Sequence, residues 1–265
     1  MSADSLPTLF VSHGAPTLPL EHVPAREFLA TLGDRYRDAH AVLCISAHWN
    51  TPRPTVNAVE APETIHDFYG FPAELYGLRY NARGSPDVAG RVADILYGAG
   101  LSCDIDDRRG LDHGAWVPLM LMFPNADVPV VQLSIQQHLD PAQHVALGRA
   151  LSALRDEGVL VIGSGGAVHP LGYAAASLGE GAPTDDWARE FGSWLTEAVT
   201  RGDRVSLLDY RQRAPYAERA HPYPDHFMPL LVAFGAAGDG ARGTVLHHSW
   251  HWGDLMMDAY EFTSD

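Results

Sequence analysis

The chain has 265 residues, 46% of them hydrophobic, enough to bury a core as one large domain or two small ones. Its 18 Lys and Arg stand against 33 Asp and Glu, and the net charge of −15 repels nucleic acid and anionic membrane surfaces, which excludes both as partners. Two cysteines, an opening Met1-Ser2-Ala3-Asp4-Ser5 without a basic-then-apolar pattern, and no apolar run of bilayer length point to a cytoplasmic protein without disulfides, leader or membrane span.

Leu6 to Ser12 reads as a first strand, ending on His13 and the turn Gly14-Ala15-Pro16. Residues 24 to 38 open with Pro24 and carry Phe28, Leu29, Leu32 and Tyr36 at helical spacing. Residues 41 to 46 have the apolar character of a buried strand, which places His48 just past its carboxyl end. Residues 55 to 59 form a short strand, and the aromatic stretch from Thr64 to Pro72 reads as a loop folded over something. A capped helix runs from Ser85-Pro86 to Tyr97, followed by a strand from Leu101 to Ile105. Gly110 to Gly114 is a glycine-bounded loop holding Asp112 and His113, and Trp116 to Phe123 is a buried helix despite Pro118. Val128 to Ile135 is a β-branched strand, and Asp140-Pro141 caps a helix reaching about residue 156.

Val159 to Ile162 is a fully apolar strand running into Gly163-Ser164-Gly165-Gly166 and His169. Residues 184 to 199 form an amphipathic helix, Asp225-His226 opens a short buried one, and Thr244 to His248 is a last strand before an aromatic tail. No repeat, low-complexity tract or linker interrupts the chain. The expectation is one α/β domain over residues 1–265, with a mostly parallel central sheet flanked by helices.

A lone histidine on an apolar segment is more often a hydrogen-bonded structural residue than a ligand. Here His13, His48 and His169 each follow a core strand, and His226 sits where a loop meets a helix. Parallel strands put their carboxyl ends on one edge, so these imidazoles can converge. Three histidines suit zinc, iron, copper or nickel and leave positions open. Glu21, Asp67, Asp112 and Asp225 lie near them in sequence, as ligands or as acceptors that fix an imidazole tautomer. The spacing matches neither a zinc finger nor the His-Glu-x-x-His helix. His113 suits a proton shuttle or donor, or equally a loop residue bonded to its own backbone. His66 ranks below it, and His22, His40, His138, His144, His221, His247, His248 and His251 read as surface or packing residues. The glycines around Ser164 lack the dinucleotide fingerprint and read as room for backbone near the site.

Ser12-His13-Gly14-Ala15-Pro16, Ser46-Ala47-His48-Trp49, His66-Asp67-Phe68-Tyr69-Gly70-Phe71-Pro72, Leu111-Asp112-His113-Gly114 and His226-Phe227-Met228-Pro229-Leu230 occur in one order along the chain. Together they resemble the DOPA-type extradiol ring-cleavage dioxygenases of the class III, LigB-like superfamily, over nearly the whole length. The resemblance implies a LigB-like fold and a non-haem Fe(II) enzyme that opens the ring of a catechol with O₂ to a semialdehyde. It implies metal ligation by His13, His48 and His226, an acid/base or further ligand role for His169, and an additional active-site role for His113. Two departures stand out: His169-Pro170 where many relatives have His-Asn, and Asp225 where they have Glu. Zn(II) can fill the same ligands without supplying the redox step, so a zinc-dependent hydrolase and a non-catalytic metal-binding protein are the rival readings. Arg79, Arg83, Phe68 and Tyr69 are candidate substrate contacts, Trp49 a pocket wall, and the sequence assigns no oligomeric state.

Overall fold

The computed structural model describes residues 5–170 and 181–264. The opening Met1 to Asp4, read above as lacking a leader, lies outside the described residues. The frame is an eight-stranded sheet. Its strands are β1 (Thr8–Ser12), β2 (Ala41–Asn50), β3 (Thr55–Asn57), β4 (Asp104–Asp106), β5 (Val130–Ile135), β6 (Val159–Gly165), β7 (Arg242–His247) and β10 (Ala259–Thr263). A separate hairpin pairs β8 (Trp250–His251) with β9 (Leu255–Met256). The sheet order is β4-β3-β5-β2-β6-β1-β10-β7. The central run β5-β2-β6-β1 is parallel throughout, while β10 and β7 extend it antiparallel beside β1. This is the mostly parallel α/β domain expected from the sequence.

Period-two alternation explains why the central strands are apolar along their whole length. In β2, Leu43 and Ile45 enter one core layer while Val42 and Cys44 enter the opposite one. Helices α2 (Pro86–Gly98), α4 (Pro141–Ala150), α5 (Asp186–Arg201) and α6 (Met228–Ala236) cover the first face, and α1 (Pro24–Leu32) and α3 (His113–Met122) the second. Each large aliphatic side chain so buried contributes about 1.5–3 kcal/mol relative to exposure. Local chemistry fixes the helix starts. Ser85 accepts from Val88 N–H, and Asp140 and Gln143 form a reciprocal capping box.

Several boundaries differ from the sequence reading, each for a tertiary reason. Strand β2 continues to Asn50, so His48 lies inside it rather than past its end. Its register against β5 shifts between Ile45 and Asn50, which pair with Leu133 and Ile135, and this bulge holds His48 away from the ladder. His113 is the first residue of α3, not a loop residue, because Asp112 caps that helix by accepting from Ala115 N–H. Helix α1 stops at Leu32 and tightens into a 3-10 turn, Gly33–Arg35, where Gly33 packs so closely on the end of α3 that a Cβ would overlap the Met122 carbonyl. Helix α4 ends at Ala150 in a 3-10 turn, and the strand expected from Leu101 starts only at Asp104. The aromatic tail is β10, which joins the sheet beside β1.

Candidate metal centre

The carboxyl ends of β1, β2 and β6 bring together five imidazoles. His13 follows β1, its backbone N–H donating to Gly165 of β6 at 3.0 Å. Its Nδ1 faces Ser164 Oγ at 3.0 Å, and that hydroxyl proton is committed to the Gly114 carbonyl. Ser164 can therefore only accept from His13, which puts the proton on Nδ1 and the lone pair on Nε2. His226 has the same tautomer for a parallel reason: its Nδ1–H donates to Asp225 Oδ1 at 2.9 Å. Both lone pairs point at His48, whose Nε2 lies 3.0 Å from His13 Nε2 and 3.2 Å from His226 Nε2.

A single ring nitrogen carries at most one proton, so His48 Nε2 cannot satisfy both neighbours. At least one pair of lone pairs must face each other, and a shared cation removes that repulsion. Nitrogens bound tetrahedrally to one ion at about 2.1 Å stand about 3.4 Å apart, close to the spacing observed here. Burial holds His13, His48 and His226 well below the ordinary imidazole range, and the crowding of like groups adds to the effect. They are neutral at neutral pH, the form that binds metal.

Ring nitrogens of His13, His48 and His113 also lie within 4.8 Å of one another, a second overlapping triad. His113 meets His48 ring against ring, with centroids 3.8 Å apart, whereas His226 meets it nitrogen to nitrogen. The set that includes His226 fits one ion better. Asp67 Oδ1 accepts from both the backbone N–H and Nδ1–H of His113, each at 3.0 Å, and Asp67 Oδ2 lies 3.9 Å from His48 Nδ1. Burial raises the Asp67 carboxyl, but the His113 hydrogen bonds outweigh it and bring it down to about 2. His169 stacks face to face on His226, with centroids 3.5 Å apart and planes 4° from parallel, and its backbone N–H donates to Ala220. Desolvation pulls the His169 pKa down to about 4.

The four candidate carboxylates separate. Asp67 and Asp225 hold site imidazoles. Asp112 is fully buried under the site, where it accepts from Ser46 Oγ at 2.6 Å and from Gln132 and Arg109, while Ser46 Oγ accepts from His48 N–H. Glu21 stands with His251, apart from this group. Gly114 permits the crowding, since a Cβ there would overlap Ser46 Oγ and lie 3.1 Å from His48 Cδ2. Gly165 does likewise beneath the His226 carbonyl. Phe68 lies edge-on to His113 at 5.7 Å, and Trp49 is buried beneath the Arg109 guanidinium. Tyr69 is 90% exposed, Arg83 is exposed, and Arg79 ties the loop by donating to the Tyr76 and Leu78 carbonyls at 2.7 Å. His66 packs among Phe68, Tyr76 and Trp116.

Ser164, Ser46 and Gln132 had no signal in the sequence as site residues. Only the geometry, in which each meets a functional group, identifies them.

Known proteins share this architecture. A family model described as the catalytic LigB subunit of aromatic ring-opening dioxygenase matches residues 7–262. The chain is 48% identical over 261 residues to a 4,5-DOPA dioxygenase extradiol of Beta vulgaris, covering 97% of this chain and 96% of that protein. It is 38% identical over 260 residues to a protein of the same description from Escherichia coli (strain K12), covering 97% and 94%. A crystal structure of an uncharacterized protein from Escherichia coli K12 superposes with a TM-score of 0.77 at 30% identity, covering 97% of this chain and 99% of that one.

Proposed function

Since the chain belongs to the LigB family of aromatic ring-opening dioxygenases and is an extradiol ring-cleaving enzyme, we propose that its substrate is a catechol of the dihydroxyphenylalanine type and its metal Fe(II). His13, His48 and His226 are the ligands in this reading. The observation that carries it is the pair of Nε2 lone pairs, fixed by Ser164 and Asp225, that both face His48 Nε2. When bound, Fe(II) supplies the redox capacity that lets a catechol react with O₂, which Zn(II) in the same ligands lacks.

His169 is the acid/base and not a fourth ligand. A metal held by an imidazole lies near the plane of that ring, and the parallel planes of His169 and His226 do not meet at one point. With its pKa lowered to about 4, His169 is the neutral base at neutral pH, able to take a catechol O–H proton and return it to the opened product. His113, whose Nδ1–H is held by the ionised Asp67, has Nε2 free to accept a proton from a substrate oxygen, and the resulting imidazolium paired with Asp67 stabilises the charge developing there. In the overall reaction one ring carbon–carbon bond beside the hydroxyls breaks, both atoms of O₂ enter the product, and a carboxylate and an aldehyde result. The names of the relatives support cleavage between C4 and C5. The two free cysteines, one of them buried, favour a reducing cytoplasm. Among the described residues, no helix is long and apolar enough to cross a membrane.

The test is anaerobic loading with Fe(II), then addition of dihydroxyphenylalanine and O₂ while oxygen uptake and the coloured ring-opened product are followed. Stoichiometric uptake is expected. No uptake with iron bound overturns the proposal.

A further inference from the structure

One fully buried carboxylate stands behind two imidazoles of the cluster. Among the described residues, 47–49 of β2 have no registered partner in β5 or β6, because the bulge carries them off the ladder. The backbone N–H of His48 is left to a side chain and donates to Ser46 Oγ at 3.2 Å. Ser46 Oγ–H in turn donates to Asp112 Oδ1 at 2.6 Å. The same oxygen accepts from Ala115 N–H at 3.3 Å, the bond that caps α3, whose first residue is His113. Asp112 Oδ1 thus joins two short chains of bonds, one ending on the backbone of His48 and the other on the turn that carries His113.

The second oxygen is anchored from the other side. Asp112 Oδ2 accepts from Gln132 Nε2 of β5 and from Arg109 Nη2, the latter at 3.1 Å. Asn57 of β3 fixes both donors: its Oδ1 accepts from Gln132 N–H at 2.6 Å, and its Nδ2 donates to the Arg109 carbonyl at 3.3 Å. Asp112, Ser46, Gln132 and Asn57 are all buried, and Arg109 lies over the ring of Trp49, the neighbour of His48. A buried carboxylate is costly unless its lone pairs are engaged, and here each oxygen accepts two bonds. The packing leaves little slack, since a Cβ on Gly114 would overlap Ser46 Oγ and lie 3.3 Å from Asp112 Oδ1.

Asp67 and Asp225 act on ring nitrogens, whereas Asp112 acts on the backbone from which two rings project. We propose that Asp112 is a positioning residue that sets the metal ligand His48 and the proton-accepting His113 at a fixed separation through one carboxylate oxygen. The two rings stand 3.8 Å apart between centroids, so a shift of either backbone moves the metal relative to the group that meets the substrate. A misplacement of about 1 Å can cost about 10²-fold in rate. The proposal rests on the roles given to both histidines above.

The test uses Co(II), whose visible absorption reports coordination geometry, together with turnover of the Fe(II)-saturated enzyme. Asp112→Ala should weaken Co(II) binding about 10–100-fold, change the intensity of the Co(II) bands and lower kcat more than it raises KM. Ser46→Ala cuts only the arm to His48 and should weaken Co(II) binding with a smaller loss of kcat. Combining the two should cost less Co(II) affinity than the product of the single losses, because both lie on one path. Asp112→Asn keeps an oxygen that accepts from Ser46 and Ala115 but loses the charge facing Arg109, so it should recover most of the affinity and turnover. A role confined to fold stability would move the urea midpoint of the metal-free protein and leave Co(II) affinity and spectrum as in the wild type, which overturns the proposal. Equal losses in Asp112→Asn and Asp112→Ala overturn it too, since the pairing with Arg109 would then be what matters. If Asp112→Ala does not fold, Ser46→Ala decides: weaker Co(II) binding supports the proposal and unchanged binding overturns it. Absence of turnover in the iron-loaded wild type overturns the catechol reading alone, because the Co(II) measurements decide the link to His48 by themselves.

Discussion

His144 is as buried as His13 and His226, His48 being half-buried between them, and in both places burial lowers the basicity of the rings. They differ in what the second nitrogen meets. In His144, Nδ1–H donates to the Asp140 carbonyl at 3.0 Å and Nε2 accepts from Gln136 N–H at 3.4 Å, so the ring is paired on both sides within the protein. In the cluster only the Nδ1 atoms of His13 and His226 are paired to the protein, and the Nε2 atoms face one another. Burial and a depressed pKa therefore do not distinguish a structural histidine from a ligand. The pairing of the inner nitrogen does.

The largest test of that contrast replaces His48 and His144 in turn. His48→Ala should abolish metal binding and ring cleavage, a loss well beyond the about 10–100-fold typical of removing an outer hydrogen-bond partner. His144→Ala should leave metal content unchanged and cost about 1–3 kcal/mol of stability, because Gln136 N–H and the Asp140 carbonyl lose their partner. Metal analysis, oxygen uptake and urea unfolding separate the two outcomes. Retention of metal by His48→Ala would break the comparison.

Next in size is His169, half-buried, which stacks on His226 instead of pointing at the cluster. His169→Gln should keep the metal and lower kcat about 10²–10⁴-fold, the usual range for a lost acid/base. Loss of metal together with activity would make His169 a ligand after all. Smaller again is Ser164→Ala, which removes the acceptor that fixes the His13 tautomer. It should weaken metal affinity about 10–100-fold with little effect on turnover at saturating metal. A metal titration followed by activity at saturation checks both parts.

The convergence of the site was readable because strand direction carries it. His13 and His169 follow apolar strands, and parallel strands end on one edge. Composition and spacing reached only a histidine metal site with open positions; ring opening, with a hydrolase and a binder as rivals, came from the resemblance carried by the ordered motifs around those histidines. What local pattern could not show was contact made from outside each segment. His48 looked as if it lay beyond its strand because the bulge against β5 has no signal in residues 46–49. His113 looked like a loop residue because two glycines flank it, although one of them, Gly114, is required by the closeness of Ser46 and His48. Ser164 lay unnoticed between glycines since a serine there has no type-specific pattern. Glu21 and Asp67 were indistinguishable as carboxylates near a histidine, and only the fold sends one to His251 and the other to His113.

The smallest effect sharpens the comparison through pH. His221 is fully buried beside Phe191 and Phe227, with Nε2–H donating to the Ala167 carbonyl at 3.0 Å and Nδ1 without a hydrogen-bond partner among the described residues, and desolvation lowers its pKa to about 3. In the unfolded chain it titrates near 6.5, so as pH falls the unfolded state binds the proton first. Its neutral burial is therefore fully compatible with folding above that value and is increasingly penalised as pH drops from about 6.5 toward 3. In metal-free protein, His221→Leu should flatten the fall in stability across that window by about one proton, or about 1.4 kcal/mol per pH unit, measured by urea unfolding at stepped pH. The same substitution should leave the pH at which metal is released unchanged, because that release follows protonation of His13, His48 and His226. A structural histidine and a ligand histidine would then titrate in one pH range but register in two different observables. If His221→Leu shifted metal release as strongly as it flattened the stability curve, the division between imidazoles that face one another in the cluster and those buried elsewhere in the core would fail.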